Sequence, residues 1–161
     1  MNRIGDNLIH FAANAELIRA FARFDVQFVV IGGLAVAWYC SERQADDMDL
    51  LVEPTAENSA RIEEALASIG IPNVPAAAFI RSDLQVPLKQ IFYAELLTPR
   101  TGQPSFADIS VSAVDAKLFG IPVRVASRAT LLHMKRAAVA SGDASAEKHQ
   151  RDIALLSHHD A

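Results

Sequence analysis

Cysteine is nearly missing from this chain. Cys40 stands alone among 161 residues, so no disulfide can form within the chain, and a reducing compartment, the cytoplasm, is its simplest home. Its place in an apolar run reads as packing. An excess of basic charge is missing too. The formal charge is −4, which argues against a cationic coat made for nucleic acid and leaves room for a local basic patch. No apolar run is long enough to span a bilayer. The longest, Phe28 to Cys40, is broken by Gly32-Gly33, so no membrane partner is expected. Met1 to Asn7 is polar and carries both signs of charge, unlike a secretory leader. Repeats, low-complexity tracts and linkers are lacking, so residues 1–161 read as a single domain. The histidines are scattered: His10 and His133 on different helices, His149 among polar residues, His158-His159 at the very end. They form no zinc-binding pattern, and no Ser-His-Asp or Cys-His arrangement can be read.

What is present is an apolar content of 51%, enough for a chain of this length to bury roughly two-thirds of its unfolded surface without staples. A helical stripe of apolar residues runs from Asn7 to Phe24, with Asp6 placed to cap it. Gln27 to Ile31 reads as a buried strand, Leu34 to Tyr39 as a short apolar helix, and Met48 to Val52 as a second strand ended by Pro54. Thr55 can cap a helix over Glu57 to Ile69 that stops at Gly70. Ile71 to Pro87 is the least regular stretch, with a short strand expected at Ala78 to Arg81. Leu88 to Leu97 reads as a third strand, and Phe106 to Ser112 is ambiguous. Val114 to Phe119 and Pro122 to Ala126 read as strands about a turn at Gly120. Ser127 caps a helix through Ala138, and after the Gly142-Asp143 break a last helix covers Ala146 to Ser157. The fold class is therefore α/β (α+β): a small mixed sheet flanked by helices, with helices at the C-terminal end.

Chemistry concentrates around the second strand. Asp47 and Asp49 flank Met48, and alternation puts both acids on one face. Neighbouring carboxylates repel unless a cation neutralises them. Just upstream, Gly32-Gly33 joins a strand to a helix. Glycine permits φ > 0 and close approach of a phosphate, and a helix start offers free amides. The cation that suits such a place is Mg²⁺ or Mn²⁺, and the ligand a nucleoside triphosphate. The plainer alternatives are a tight turn without ligand and a solvated strand edge. Glu95 is the only charge inside Ile91 to Leu97. A carboxylate so placed needs a cation or a hydrogen-bond network, which makes Glu95 the candidate third acid; Asp108 is the competitor. Lys135 on an otherwise apolar helix and Arg43 before the acidic pair can reach phosphate oxygens, or serve as ordinary surface cations. Arg136 points away from Lys135 toward solvent. Asp152 is expected to pair with a basic neighbour rather than bind metal.

These residues resemble the DNA polymerase β-like nucleotidyltransferase superfamily. The resemblance lies in Ile31-Gly32-Gly33, then Arg43-Gln44-Ala45 leading into Asp47-Met48-Asp49. The pattern there is a Gly-Gly or Gly-Ser turn, a spacer helix and an Asp-x-Asp strand, often preceded by Arg-x-Thr. Gly120 to Val125 followed by Leu131 to Ala138, and Arg151 to Leu156 at the end, resemble the small AbiEii-type toxin nucleotidyltransferases and their relatives. The resemblance implies a nucleotidyltransferase-like fold and a metal-dependent enzyme that moves a nucleoside monophosphate from an NTP to an acceptor hydroxyl on RNA or tRNA, a protein or a small molecule. In this reading Asp47, Asp49 and Glu95 hold the metal, while Gly32, Gly33, Arg43 and Lys135 meet the nucleotide. It further implies a toxin of a toxin–antitoxin pair, with a cognate antitoxin as partner. Two positions depart from the pattern: Ala45 stands where Thr or Ser is frequent, and Glu95 where Asp is usual. They leave open a catalytically degenerate module that binds nucleotide or a partner protein.

Overall fold

A computed structural model describes residues 11–45, 47–72, 74–75, 77–88 and 92–158. The chain runs α1 (Phe11–Arg23), β1 (Phe28–Ile31), α2 (Gly32–Tyr39), β2 (Met48–Val52), α3 (Ala56–Ser68), a 3₁₀ turn (Ala78–Ile80), β3 (Gln85–Pro87), β4 (Ala94–Leu97), α4 (Phe106–Ser112), β5 (Val114–Leu118), β6 (Ile121–Val125), α5 (Arg128–Ala140) and α6 (Ala146–His158). The strands form one six-stranded mixed sheet in the order β3-β4-β2-β1-β6-β5. β1 and β2 are antiparallel, as are β3 and β4 and β5 and β6, whereas β2–β4 and β1–β6 are parallel. The α/β class expected from the sequence is the one observed. No helix among the described residues is long and apolar enough to cross a membrane.

Burial sorts the two faces of the sheet. Met48, Leu50, Val52, Ala94 and Leu96 are fully buried on one side. On the other side Asp49, Glu95 and Leu97 are half-buried, because that face opens on a cleft walled by α5. Helix α2 is apolar on every side, with Leu34 to Ala37 buried, as a helix enclosed by protein must be; it touches α5, α6, β1 and β2. Thr55, Ser105 and Ser127 each accept a hydrogen bond from the backbone N–H three residues on. Each cap satisfies one of the amides orphaned at a helix start.

Three local readings change. Ala78 to Arg81 is not a strand. Ala77 turns left-handed at φ 57° and Phe79 is buried, its N–H donating to Ser59 Oγ at 3.1 Å. The turn thus closes against α3 and pairs with no strand. The third strand is shorter than expected: it starts at Ala94, because Tyr93 at φ 51° breaks the extended run, and residues 89–91 lie outside the described part. Ahead of it, β3 was not anticipated; it is three residues long and ends on Pro87, which suits an edge strand. The ambiguous Phe106 to Ser112 is a helix, stabilised by its Ser105 cap. The expected cap at Asp6 and helix start at Asn7 lie outside the described residues. The turn at Gly120 is a two-residue hairpin in which Phe119 and Gly120 both have positive φ and Leu118 faces Ile121, the geometry that matches strand twist.

Candidate active site

β1 ends at Ile31 and α2 begins at once, so the diglycine is both the turn and the first two residues of the helix. Gly32 has φ 70°, and a Cβ there would sit 2.1 Å from Asp49 Oδ2. At Gly33 a Cβ would meet Arg43 Nη2 at 2.6 Å. Glycine is thus demanded twice by close approach of a charged side chain, and at Gly32 by backbone conformation as well. The Asp49 carboxylate rests on the amino end of α2, where the helix dipole favours negative charge.

Register completes the arrangement. Asp49 pairs with Ile31 across the antiparallel β1–β2 ladder and with Glu95 across the parallel β2–β4 ladder. Partners in register on adjacent strands share a face, so Asp49 and Glu95 stand side by side. Asp47 lies just ahead of β2 and is half-buried. Glu95 is not on an edge strand, since β3 covers β4, and Gln85 Nε2 donates to Glu95 Oε2 at 3.0 Å. Asp108 is elsewhere: it is exposed in the first turn of α4, behind the Ser105 cap. Among the described residues no three acidic, histidine or cysteine side chains are gathered as a cage for a metal ion. The adjacent Asp49 and Glu95 offer hard oxygen donors, and Mg²⁺ is commonly held by one or two carboxylates together with phosphate oxygens of a substrate. The donor set fits that manner of binding.

The cleft beside Asp49 has a volume of about 420 Å³. Gly32, Asp49, Leu51 and Leu97 form its sheet side, and Leu131, Met134 and Lys135 of α5 face them. Its rim is the loop from Thr98 to Pro104, joined by Asp143 and His149. The loop is braced from within. Asp83 accepts from the Thr101 N–H at 2.9 Å and the Thr101 hydroxyl at 2.7 Å, and these bonds hold its carboxyl below the usual carboxylate range. Buried Thr98 donates to the Arg81 carbonyl at 2.6 Å and accepts from the Leu84 N–H at 2.9 Å.

Both candidate phosphate cations are tied to one acid. Asp152 of α6 is buried. Arg43 donates to it through Nε at 2.8 Å and Nη2 at 3.4 Å, and Lys135 Nζ lies 3.0 Å from Oδ2. Asp152 therefore pairs with basic neighbours, as the sequence suggested. Burial pushes its carboxyl up, but the Arg43 hydrogen bonds and the Lys135 charge outweigh burial and hold it below the usual range. Arg43, held over Gly33, also donates through Nη1 to the Gln44 carbonyl. Lys135 lines the cleft, whereas Arg136 is exposed.

Sequence reasoning passed over Asp143, His149 and Arg100, which the structure brings to the rim. Gly142-Asp143 read only as a helix break. The one available signal was spacing, for His149 and Asp152 lie three apart on a helix and so share a face.

Known structures share this architecture. An antigenic nucleotidyltransferase-like protein from Paracoccidioides brasiliensis superposes with a TM-score of 0.58 at 14% identity, over 89% of this chain and 74% of its own. ANT(2″)-Ia in complex with adenylyl-2″-tobramycin superposes with a TM-score of 0.53 at 16% identity, over 88% and 84%. The fold is nucleotidyltransferase-like. No protein-family model matches the sequence, and no curated protein matches it. In this fold the strand–diglycine–helix unit, the Asp-x-Asp strand and the parallel strand bearing Glu95 meet at one end of the sheet.

Proposed function

We propose that the chain is a metal-dependent nucleotidyltransferase that joins a nucleoside monophosphate, taken from an NTP, to an acceptor hydroxyl. The observation that carries this is Asp49, seated on Gly32 and in register with Glu95, lining a cleft of about 420 Å³ in a nucleotidyltransferase-like fold. Asp49 and Glu95 are the adjacent acids that would hold Mg²⁺ or Mn²⁺ together with phosphate oxygens, with Asp47 just ahead of the same strand as a further candidate, and the metal when bound would neutralise the triphosphate and polarise its α-phosphorus. The amides at Gly32 and Gly33 and the Lys135 ammonium steady the phosphates. Glu95 receives the acceptor's proton as the hydroxyl oxygen attacks the α-phosphorus and pyrophosphate departs.

For the acceptor, the sequence resemblance offers RNA or tRNA, together with a toxin role and a cognate antitoxin, in the cytoplasm. Adenylyl-2″-tobramycin bound to ANT(2″)-Ia extends the choice to small hydroxylated molecules, and proteins complete it. The test is incubation with each labelled NTP, Mg²⁺, and separated RNA, protein and metabolite fractions. Label entering one fraction in the wild type and not in Asp49→Asn is the expected result. Label in no fraction, with every NTP and either metal, overturns the proposal.

A second reading has an observation of its own. Arg43 and Lys135 both engage Asp152, and Gln85 engages Glu95, as in a site that keeps its shape without turning over. Such a catalytically degenerate module binds nucleotide or a partner protein, and calorimetry with and without Mg²⁺ separates the two. Nucleotide binding indifferent to metal supports the module.

A further inference from the structure

His149 stands on the cleft rim, one turn of α6 before Asp152. Its Nδ1 lies 3.3 Å from Lys135 Nζ, and its Nε2 lies 3.6 Å from Asp143 Oδ1. An ammonium group can only donate. Nδ1 must therefore be the acceptor, and the proton of the neutral ring sits on Nε2, toward Asp143. Lys135 thus spends one N–H on Asp152 and one on His149, which leaves its third for an anion in the cleft.

We infer that His149 is a second cationic contact for the phosphates of the nucleotide, one that takes up its proton when they bind. The inference rests on the nucleotidyltransferase reading of the cleft. In the unliganded protein two things keep the ring neutral: its partial burial and the Lys135 charge beside Nδ1. Asp143 from the α5–α6 turn and Asp152 from α6 itself pull the other way, and Arg100 across the rim acts on Asp143. An anion that draws Lys135 toward itself frees the Nδ1 lone pair and offsets the ammonium charge. Both changes favour protonation, and the imidazolium then faces the anion. By linkage, whatever raises proton affinity at His149 on binding also makes binding tighter as protons become available.

The probe is inorganic tripolyphosphate, which has no base or sugar to choose. Calorimetry on the full chain is run in buffers of different ionisation enthalpy, from about pH 8 to about pH 6, the range in which a histidine changes charge. The expected result is an affinity that rises severalfold more in the wild type than in His149→Gln, approaching as pH falls the roughly tenfold that one unit of pKa shift allows, with extra proton uptake in the wild type alone. Gln supplies a neutral acceptor to Lys135 without titrating. Nitrogen NMR of the wild type reads the same event without a mutation: an Nε2–H ring before ligand, a doubly protonated ring after it. Identical pH profiles in the two proteins, or a ring that stays neutral with ligand bound, overturn the inference and leave the nucleotidyltransferase reading standing. No binding of tripolyphosphate at any pH overturns His149 as a phosphate contact, whereas the labelled-NTP assay decides the enzymatic reading by itself.

Discussion

Arg43 and Asp152, 109 residues apart in the chain, are joined by a 2.8 Å bond from Nε to Oδ1, largely shielded from water. That bond ties the loop leading into the Asp-x-Asp strand to the last helix. Lys135 joins it from α5, so one carboxylate fastens three parts of the molecule around the cleft. Burial of ions is costly, and a network of this kind is stable only while all its members are present.

Asp152→Asn keeps the shape and removes the buried charge that Arg43 and Lys135 share. The expected loss of stability is about 3–5 kcal/mol, the range for breaking a buried pair. Urea unfolding checks it, through a lower midpoint at unchanged slope. A loss below about 1 kcal/mol would mean the pair behaves like a surface salt bridge.

The same carboxyl sets an acid dependence. Its value in the folded protein is held below that of the unfolded chain. As pH falls, the unfolded chain therefore takes the proton first. The stabilisation is whole above about pH 4, the ordinary aspartate value, and disappears as pH drops through the lower folded value. Unfolding free energies measured from neutral to acid pH should converge for wild type and Asp152→Asn. A gap that stays constant down to the lowest pH contradicts this origin.

Gly32→Ala should be the harsher of the two glycine substitutions. It forces an L-residue to φ 70° and puts a methyl 2.1 Å from Asp49 Oδ2, whereas Gly33 has no positive φ and its obstacle is the guanidinium end of Arg43 at 2.6 Å, whose displacement costs part of the Asp152 bond. The left-handed backbone alone costs about 1–2 kcal/mol. In an Asp49→Ala background the contacts with the carboxylate at 2.1 and 2.9 Å are gone, and only the tight 3.0 Å approach to the residue-49 Cβ and the backbone cost should remain. A thermal double-mutant cycle measures the difference; perfect additivity would show that the two residues do not touch.

Asp49→Asn should abolish nucleotidyl transfer while the circular dichroism spectrum is retained, since Asp49 lies at the cleft and is only half-buried. Glu95→Gln and Asp108→Asn are to be compared beside it. Glu95 is in register with Asp49 and Asp108 is exposed on α4, so Glu95→Gln should lower the rate by two orders of magnitude or more, roughly the contribution of a positioned general base, and Asp108→Asn should leave it within about twofold. The reverse ranking reassigns the third acid.

Most secondary structure was legible because the signals are local. Thr55 and Ser127 announce helix starts, the glycines end elements, and the apolar runs 28–31, 48–52 and 114–125 mark strands. Reading failed where the deciding contact is distant. Ala78–Ile80 turns because Phe79 reaches Ser59 on α3, and β3 exists only because β4 supplies its hydrogen bonds. Within the site, alternation along one strand was enough to associate Asp47 with Asp49. Whether Glu95 or Asp108 lies nearer to Asp49 depends on the parallel pairing of β2 and β4, whose residues are more than forty positions apart.

By itself, then, the order of residues determined the strand–diglycine–helix unit and the acidic strand that follows it, because backbone freedom and side-chain alternation act over a few neighbouring positions. The tertiary structure alone decided that Arg43 and Lys135 share Asp152, that Gly32 must yield its space to Asp49, and that His149 and Asp143 join the cleft. Those choices come from which helix faces and strand edges pack together, a matter of long-range burial and pairing that no local pattern encodes.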